Sequence, residues 1–154
     1  MIHTRTIEIA EPPVGMLAEL RRYAAVPDQS QDAVLMRHLR HALQVVQDTA
    51  DISLLRETVE LQVLDREDNK AIRLYRSLDA VQSVTDPDGN PVPFRVAAGC
   101  YVKTDAPARD VVITYTTRPD AAVLKSLTSV VLDYAANLYY GASAADLAAI
   151  LQRI

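Results

Sequence analysis

The sequence predicts an α+β fold that is mainly helical, with two N-terminal helices, a small antiparallel β insertion and two C-terminal helices. Apolar residues recur at helical spacing in residues 14–50 and again in residues 119–154. Between them, residues 55–117 alternate between polar and apolar side chains and are interrupted by turn-forming residues. The length of 154 residues suits one domain, so we expect a single domain over residues 1–154 with one core.

The first 50 residues predict an extended arm and two helices. Residues 1–13 form the arm, which the prolines at positions 12 and 13 stop. From Val14 a short amphipathic helix runs until Pro27 ends it. A longer helix follows and ends near Ala50, because six apolar residues form one stripe along it. These residues are Val34, Leu35, Leu39, Ala42, Leu43 and Val46.

The middle of the chain predicts antiparallel strands joined by short turns. The predicted strands cover residues 58–63, 72–74, 81–84, 92–96, 101–102 and 111–115. The first two are expected to form a hairpin around the polar cluster at 66–69, and the next two a hairpin around the turn at 86–90. Ala98-Gly99 predicts a further turn.

The C-terminal residues predict two helices separated by a glycine. Pro119 is expected at the first position of the longer helix, and Gly141 just after its end. Ser143 can cap a last short helix. Its apolar stripe is the candidate interface and consists of Leu147, Ile150, Leu151 and Ile154. Two interpretations stay open: the stripe docks on an adjoining subunit or partner, or it closes the core of its own subunit.

The charge of the chain argues against binding to nucleic acid. Sixteen Lys and Arg against twenty Asp and Glu leave a net charge of -4. The protein should therefore not bind tightly to the phosphate backbone of nucleic acid. A helix-turn-helix in residues 14–50 would place Arg37 and Arg40 in a DNA groove with almost no supporting positive charge. No apolar stretch is long enough to span a membrane, and residues 1–5 lack the apolar h-region of a signal peptide, so we expect the protein to stay in the cytoplasm where it is made.

Two groups of polar residues superficially match metal sites. His38 and His41 lie three residues apart on one helix, but no third ligand has a suitable spacing. Asp86, Asp88 and Asn90 alternate as in a calcium loop, but the glycine and the final glutamate of that loop are missing at the required positions. We therefore expect a solvated helix face and a hairpin turn, with no metal bound.

No motif of catalysis or cofactor binding occurs in the chain. The sequence has only four glycines, and it lacks a phosphate-binding loop, a dinucleotide fingerprint and a nucleophile elbow. The single cysteine, Cys100, follows a glycine without a histidine nearby in sequence. We predict no catalytic residue, no metal, no cofactor and no enzymatic activity. The alternative is a small cytoplasmic enzyme or ligand-binding domain whose site is assembled from scattered residues such as His38, His41 and Cys100.

The order of four segments resembles the head–tail connector (head-completion adaptor) proteins of tailed bacteriophages and prophages. Residues 14–21 are similar to the opening helix of that family and residues 32–42 to its long second helix. Residues 78–84, followed by Asp88-Gly89, resemble a strand and turn of its inserted sheet. The strand-to-helix close is matched by residues 111–115, 122–125 and 139–140.

The resemblance implies a structural virion protein. Such a protein forms a ring of about a dozen copies between the portal protein and the tail or head-completion proteins. DNA passes through the channel of the ring without specific binding. The resemblance further implies a location at the head–tail junction of the virion, with assembly in the host cytoplasm and no membrane. Family members often end in a leucine-containing stretch comparable to residues 149–153.

Overall fold

The computed structural model describes all residues from 1 to 154 and contains seven strands and four helices. The strands are β1 Ile2–Ile9, β2 Glu57–Val63, β3 Ile72–Arg73, β4 Leu78–Thr85, β5 Phe94–Ala97, β6 Tyr101–Thr104 and β7 Val111–Thr117. The helices are α1 Met16–Tyr23, α2 Asp32–Ala50, α3 Ala121–Tyr139 and α4 Ala144–Leu151. The chain forms two compact units. The sheet unit comprises Met1–Ala10 and Arg56–Pro119, and the helical unit comprises Glu11–Leu55 and Asp120–Ile154.

The sheet unit contains two antiparallel sheets. One has four strands in the order β1-β2-β7-β4, and the other has three in the order β3-β6-β5. Every second residue of β2 is buried, as expected for a strand with one face on the core. The buried apolar residues of this unit form one cluster: Val59, Leu61, Val63, Ile72, Leu74, Val84, Val102, Val111, Ile113 and Tyr115.

Most of the expected extended arm at residues 1–13 is the strand β1. This strand pairs with β2 from Ile2 opposite Val63 to Ile9 opposite Glu57. All eight residues of β1 are exposed, so the alternation that marks a half-buried strand is weak in the sequence. Backbone hydrogen bonds to β2 place this segment in the sheet. Such bonds do not require particular side chains, so the amino-acid composition of the segment does not indicate them.

Both hairpins predicted around the polar turns are wrong, because the strands on the two sides of each turn do not form a ladder with each other. β2 pairs with β1 and β7, while β3 pairs with β6. β4 pairs with β7, and only an isolated bridge joins Thr85 to Pro91 across the predicted turn. The turn at Ala98-Gly99 does connect a hairpin, β5–β6, and both of its residues have positive φ. Long-range pairing decided the order of the larger sheet.

The helical unit has its own core, in which α2 packs against α1 and α3. The predicted end of α2 at Ala50 is confirmed. The prediction that Pro119 occupies the first position of α3 is wrong, since α3 begins at Ala121 and the Asp120 side chain accepts hydrogen bonds from the N–H groups of Ala122 and Val123. With Pro119 at the first position the N-cap would be Arg118, whose side chain has no acceptor, whereas the Asp120 carboxylate satisfies two free N–H groups of the helix.

The end of α3 is as predicted. Gly141 has a φ of 74°, the N–H of Ala142 donates to the carbonyl of Asn137, and the N–H of Gly141 donates to that of Leu138. These two bonds form a Schellman motif, in which glycine adopts the left-handed conformation without the steric cost of a Cβ. The chain is thereby released from α3 before α4 begins.

The α+β class is confirmed, but the description as mainly helical is wrong. Seven strands make the sheet unit comparable to the helical unit, and its first strand comes from the N-terminus instead of an insertion. The expectation of one core is wrong as well, because the buried apolar residues form two clusters. Assignment of residues 1–154 to a single domain stays a prediction. None of the helices is both long and apolar enough to cross a lipid bilayer.

Candidate assembly surfaces

The candidate interface on α4 is largely directed at its own unit. Ser143 caps the helix by accepting a hydrogen bond from the N–H of Asp146. Ile150 is buried in the core of the helical unit, and Leu147 and Leu151 are half-buried against that core. Ile154 lies beyond the end of the helix and is 41% exposed. Three of the four residues therefore contribute to closing the core, and docking by this stripe stays a prediction.

Two polar contacts hold the segment around α4 in place. Arg153 forms an ion pair of 2.5 Å with Asp133 on α3. The hydroxyl of Tyr140 donates a hydrogen bond to the carbonyl of Ala24, which follows α1. The ends of α1, α3 and α4 are thus tied together within the helical unit.

The β1 strand is the most exposed regular element of the sheet unit. It is an edge strand with β2 on one side and no strand on the other. Ile2 is 55% exposed, Ile7 51% and Ile9 40%. Ile2 and Ile9 lie opposite Val63 and Glu57, which are buried, so both isoleucines belong to the core-facing side of the sheet. This side of the sheet is therefore left uncovered along β1.

The opposite edge of the same sheet is β4. Residues 78–83 have no strand on their outer side, whereas the carbonyl of Val84 accepts a hydrogen bond from the N–H of Val92. A groove of about 520 Å³ lies at the end of this open stretch, next to Gln82 and Ser83, and is lined in part by Val84, Val92 and Phe94. We call it the β4 groove. Both edges of the larger sheet are therefore open, and one of them adjoins an apolar cavity.

A buried ion pair stabilises one end of the larger sheet. The carboxylate of Glu57, at the start of β2, is fully buried and lies 2.5 Å from the guanidinium of Arg76, which is 15% exposed. The N–H of Glu57 donates to the hydroxyl of Thr117 on β7. Nearby, the hydroxyl of Tyr115 donates to the carbonyl of Tyr75, and burial raises the pKa of this phenol. The sequence analysis missed this pair, because its members come from separate segments without a motif.

The two histidines considered for metal binding contact aromatic rings on α3. The ring of His38 lies 6.4 Å from that of Tyr139 at an edge-on angle, and the ring of His41 lies 6.4 Å from that of Tyr134. Partial burial lowers the pKa of His38, and the charges of Arg37 and His41 lower it further. No group of three or more His, Cys, Asp or Glu side chains is arranged to hold a metal ion.

The residues considered for calcium binding form a turn. A carboxylate oxygen of Asp86 accepts hydrogen bonds from the N–H groups of Asp88 and Asn90, and its other oxygen accepts one from the side-chain amide of Asn90. Hydrogen bonds from Asn90 are the main cause of the lowered pKa of Asp86. Cys100 is half-buried in the turn between β5 and β6. The structure thus places the alternating oxygen donors in a local turn network.

The fold is shared with chains of gene transfer agent particles. A chain in the virion of a native gene transfer agent particle has a TM-score of 0.68 at 19% identity, over 97% of this chain and 93% of that chain. A chain in the neck of an empty particle, computed with C6 symmetry, has a TM-score of 0.69 at 17% identity over 98% and 94%. A chain in the neck of a native particle, computed with C12 symmetry, has a TM-score of 0.67 at 19% identity over 98% and 93%.

These similarities establish the fold and include both units of the chain, since nearly the whole of each chain is covered. No protein-family model matches the sequence, and no curated protein sequence is similar to it.

Proposed function

We propose that this chain is a structural neck protein of a phage-like particle, a head–tail connector that forms a ring between the portal and the tail. The observation that carries the proposal is the fold match to neck chains over 98% of this chain. Those necks were computed with C6 and C12 symmetry, which supports a ring of repeated copies. The protein acts as a structural component and not as an enzyme.

The charge of the chain supports passage of DNA through the ring without specific binding. The net charge is -4, and the Lys and Arg residues are interspersed with Asp and Glu. Tight binding to duplex DNA requires several cationic contacts with phosphates. A channel surface without such contacts lets the duplex slide. We place the protein at the head–tail junction of the virion, after assembly in the host cytoplasm.

We also propose that the exposed part of the α4 stripe contacts an adjoining subunit or the portal. Ile154 is 41% exposed, and Leu147 and Leu151 keep part of their surface accessible. These surfaces can contact another protein, although Ile150 itself is buried in the core of the helical unit. The contact with the portal and the number of about a dozen copies are parts of the proposal.

Deletion of the gene in a particle-producing strain tests the function. We expect DNA-filled heads that lack tails, because a missing connector leaves the portal without a docking surface for the tail. Electron microscopy of the lysate measures the fraction of tailed particles. Expression of the wild-type chain in trans is the control and should restore tails.

Two results would contradict the proposal. One is a normal fraction of tailed particles in the deletion strain. The other is found if deletion lowers the yield of particles, but mass spectrometry does not detect this chain in particles purified from the wild-type strain.

A further inference from the structure

We infer that β1 of one copy pairs with the outer edge of β4 in the neighbouring copy, so that the four-stranded sheets join into a continuous sheet around the ring. This inference rests on the proposed function, because the ring supplies the neighbouring copy. The occupant of each open edge is therefore a second copy of the same chain.

The backbone of β1 presents free hydrogen-bonding groups on its outer side. Met1 and Leu64 exchange both of their backbone hydrogen bonds. Since bonded and non-bonded pairs alternate in an antiparallel ladder, the N–H and C=O groups of Ile2, Thr4 and Thr6 point away from β2. No strand lies on that side. An eight-residue strand with such a row of unpaired groups favours pairing with another strand.

The β4 edge has the matching polarity. Neighbouring strands in the order β1-β2-β7-β4 are all antiparallel, so β1 and β4 run in opposite directions. A copy displaced sideways without inversion therefore brings its β1 antiparallel to this β4. The free stretch of β4 covers residues 78–83 and ends where Val84 is bonded to Val92.

The two edges cannot satisfy each other within one chain. β2 and β7 lie between them, which separates β1 from β4 by about 14 Å at the usual strand spacing. Four strands are also too few to close into a barrel. The contact must be made between copies, and it joins two different surfaces. Contacts of this heterologous type generate rings when the rotation closes.

The side chains along the two edges are complementary. Ile2 and Ile9 of β1 are exposed on the core-facing side. On β4, Leu78 and Val81 lie opposite Thr117 and Tyr115, on the same side of the sheet, and both are half-buried. The β4 groove continues this apolar surface. In strand addition, backbone bonds provide affinity and pockets for side chains provide specificity.

Irregularities in both strands restrict which strands can pair there. The register shifts at Ile7 in β1 and at Asp79 and Gln82 in β4. Bulges increase the local twist and discourage indiscriminate edge-to-edge aggregation. A neighbour of the same sequence, held in one orientation by the ring, meets this edge in a fixed register.

The substitution Thr4→Pro tests the outer edge of β1 without breaking its inner ladder. Proline removes the outward N–H of residue 4, and prolines are tolerated on edge strands when that group faces solvent. We expect a folded chain with an unchanged circular dichroism spectrum that no longer forms rings by analytical ultracentrifugation. The matched control Thr4→Ala keeps the N–H and should form rings like the wild type.

Cross-linking tests the partner strand directly. In a Cys100→Ser background, Thr4→Cys is combined in turn with Leu78→Cys or Val81→Cys, which lie on the same side of the sheet as Thr4 and cover two registers. We expect mild oxidation of at least one combination to give a ladder of covalent multimers beyond the dimer on a non-reducing gel. The variant with Thr4→Cys alone should give no ladder.

The outcomes separate the edge pairing from the proposed function. Rings that persist in Thr4→Pro overturn the edge pairing. The absence of a ladder from every cysteine pair overturns it as well, also where the purified wild type is a monomer. Dimers formed by Thr4→Cys alone would show pairing of β1 with β1 and overturn it too. The proposed function fails independently, when the deletion strain produces normally tailed particles.

Discussion

Glu57 is the only charged residue among the buried polar residues. Its carboxylate is fully buried beside Arg76, and its N–H is bonded to Thr117 on β7. Taking a carboxylate out of water costs several kcal/mol, which the guanidinium offsets only while it stays in place. The pair therefore makes the end of β2 sensitive to a single substitution.

Replacement of Arg76 by methionine should lower the free energy of unfolding by about 3–5 kcal/mol, because the buried carboxylate loses its opposite charge. Urea denaturation of the purified chain measures the change. Arg109→Met is the matched control, since Arg109 pairs with Asp65 on the surface at 75% and 68% exposure, and it should cost about 1 kcal/mol or less.

The double variant Glu57→Gln with Arg76→Met should recover part of the lost stability, because it removes the buried charge as well. A cost below about 1 kcal/mol for Arg76→Met alone would contradict the role assigned to the pair.

Contacts between residues close in sequence could be predicted better than contacts between residues far apart in sequence. The turn at Asp86 followed from its spacing to Asp88 and Asn90, which are also its hydrogen-bond partners. The pair of Glu57 with Arg76 depends on how β2 and the segment before β4 come together. Neither residue has a sequence neighbour that indicates this contact, so the buried charge could not be found from sequence.

The elements show the same division between local and long-range information. α2 and the stop of α3 at Gly141 were predicted because helical periodicity and caps are local signals. The sequence predicted an extended arm at residues 1–13 but not the pairing of β1 with β2, because β1 is exposed and its partner lies about fifty residues away. The pairing of β7 with both β2 and β4 joins segments far apart in sequence, which turn signals between adjacent strands do not report. Of the candidate interface, the sequence identified the stripe on α4 but not its division between core and surface.

Substitutions on the α4 stripe separate core closure from docking. Ile150→Ala should lower the free energy of unfolding by about 2 kcal/mol or more, because Ile150 is buried and its loss leaves a cavity. Ile154→Ala should change it by less than about 0.5 kcal/mol, because Ile154 is exposed. Thermal and urea unfolding of both variants measure the difference.

Ring yield by analytical ultracentrifugation provides the second readout for the same two variants. A lower yield for Ile154→Ala at unchanged stability would support docking by the stripe. Wild-type ring yield and normal tail attachment with this variant would leave core closure as the only role of the α4 stripe.

For the whole molecule, the charge balance predicts an absence of DNA affinity. The purified protein should give no change in the fluorescence anisotropy of a labelled DNA duplex at low salt, because a net charge of -4 provides no excess of cations for phosphates. A variant with Glu8→Lys, Asp88→Lys and Glu67→Lys, all at exposed positions, is the positive control for detection. Salt-sensitive binding by the wild type would contradict a channel that lets DNA slide.

The division of the chain into two units also affects the order of folding during synthesis. Both segments of the sheet unit, Met1–Ala10 and Arg56–Pro119, emerge from the ribosome before α3 does. The helical unit still lacks α3 at that time, so the apolar stripe of α2 that α3 covers has no partner yet. Compact units generally fold as units during synthesis, in the order in which they are completed. The nascent chain therefore passes through a stage in which the sheet can form while the part of α2 that packs against α3 remains accessible to chaperones.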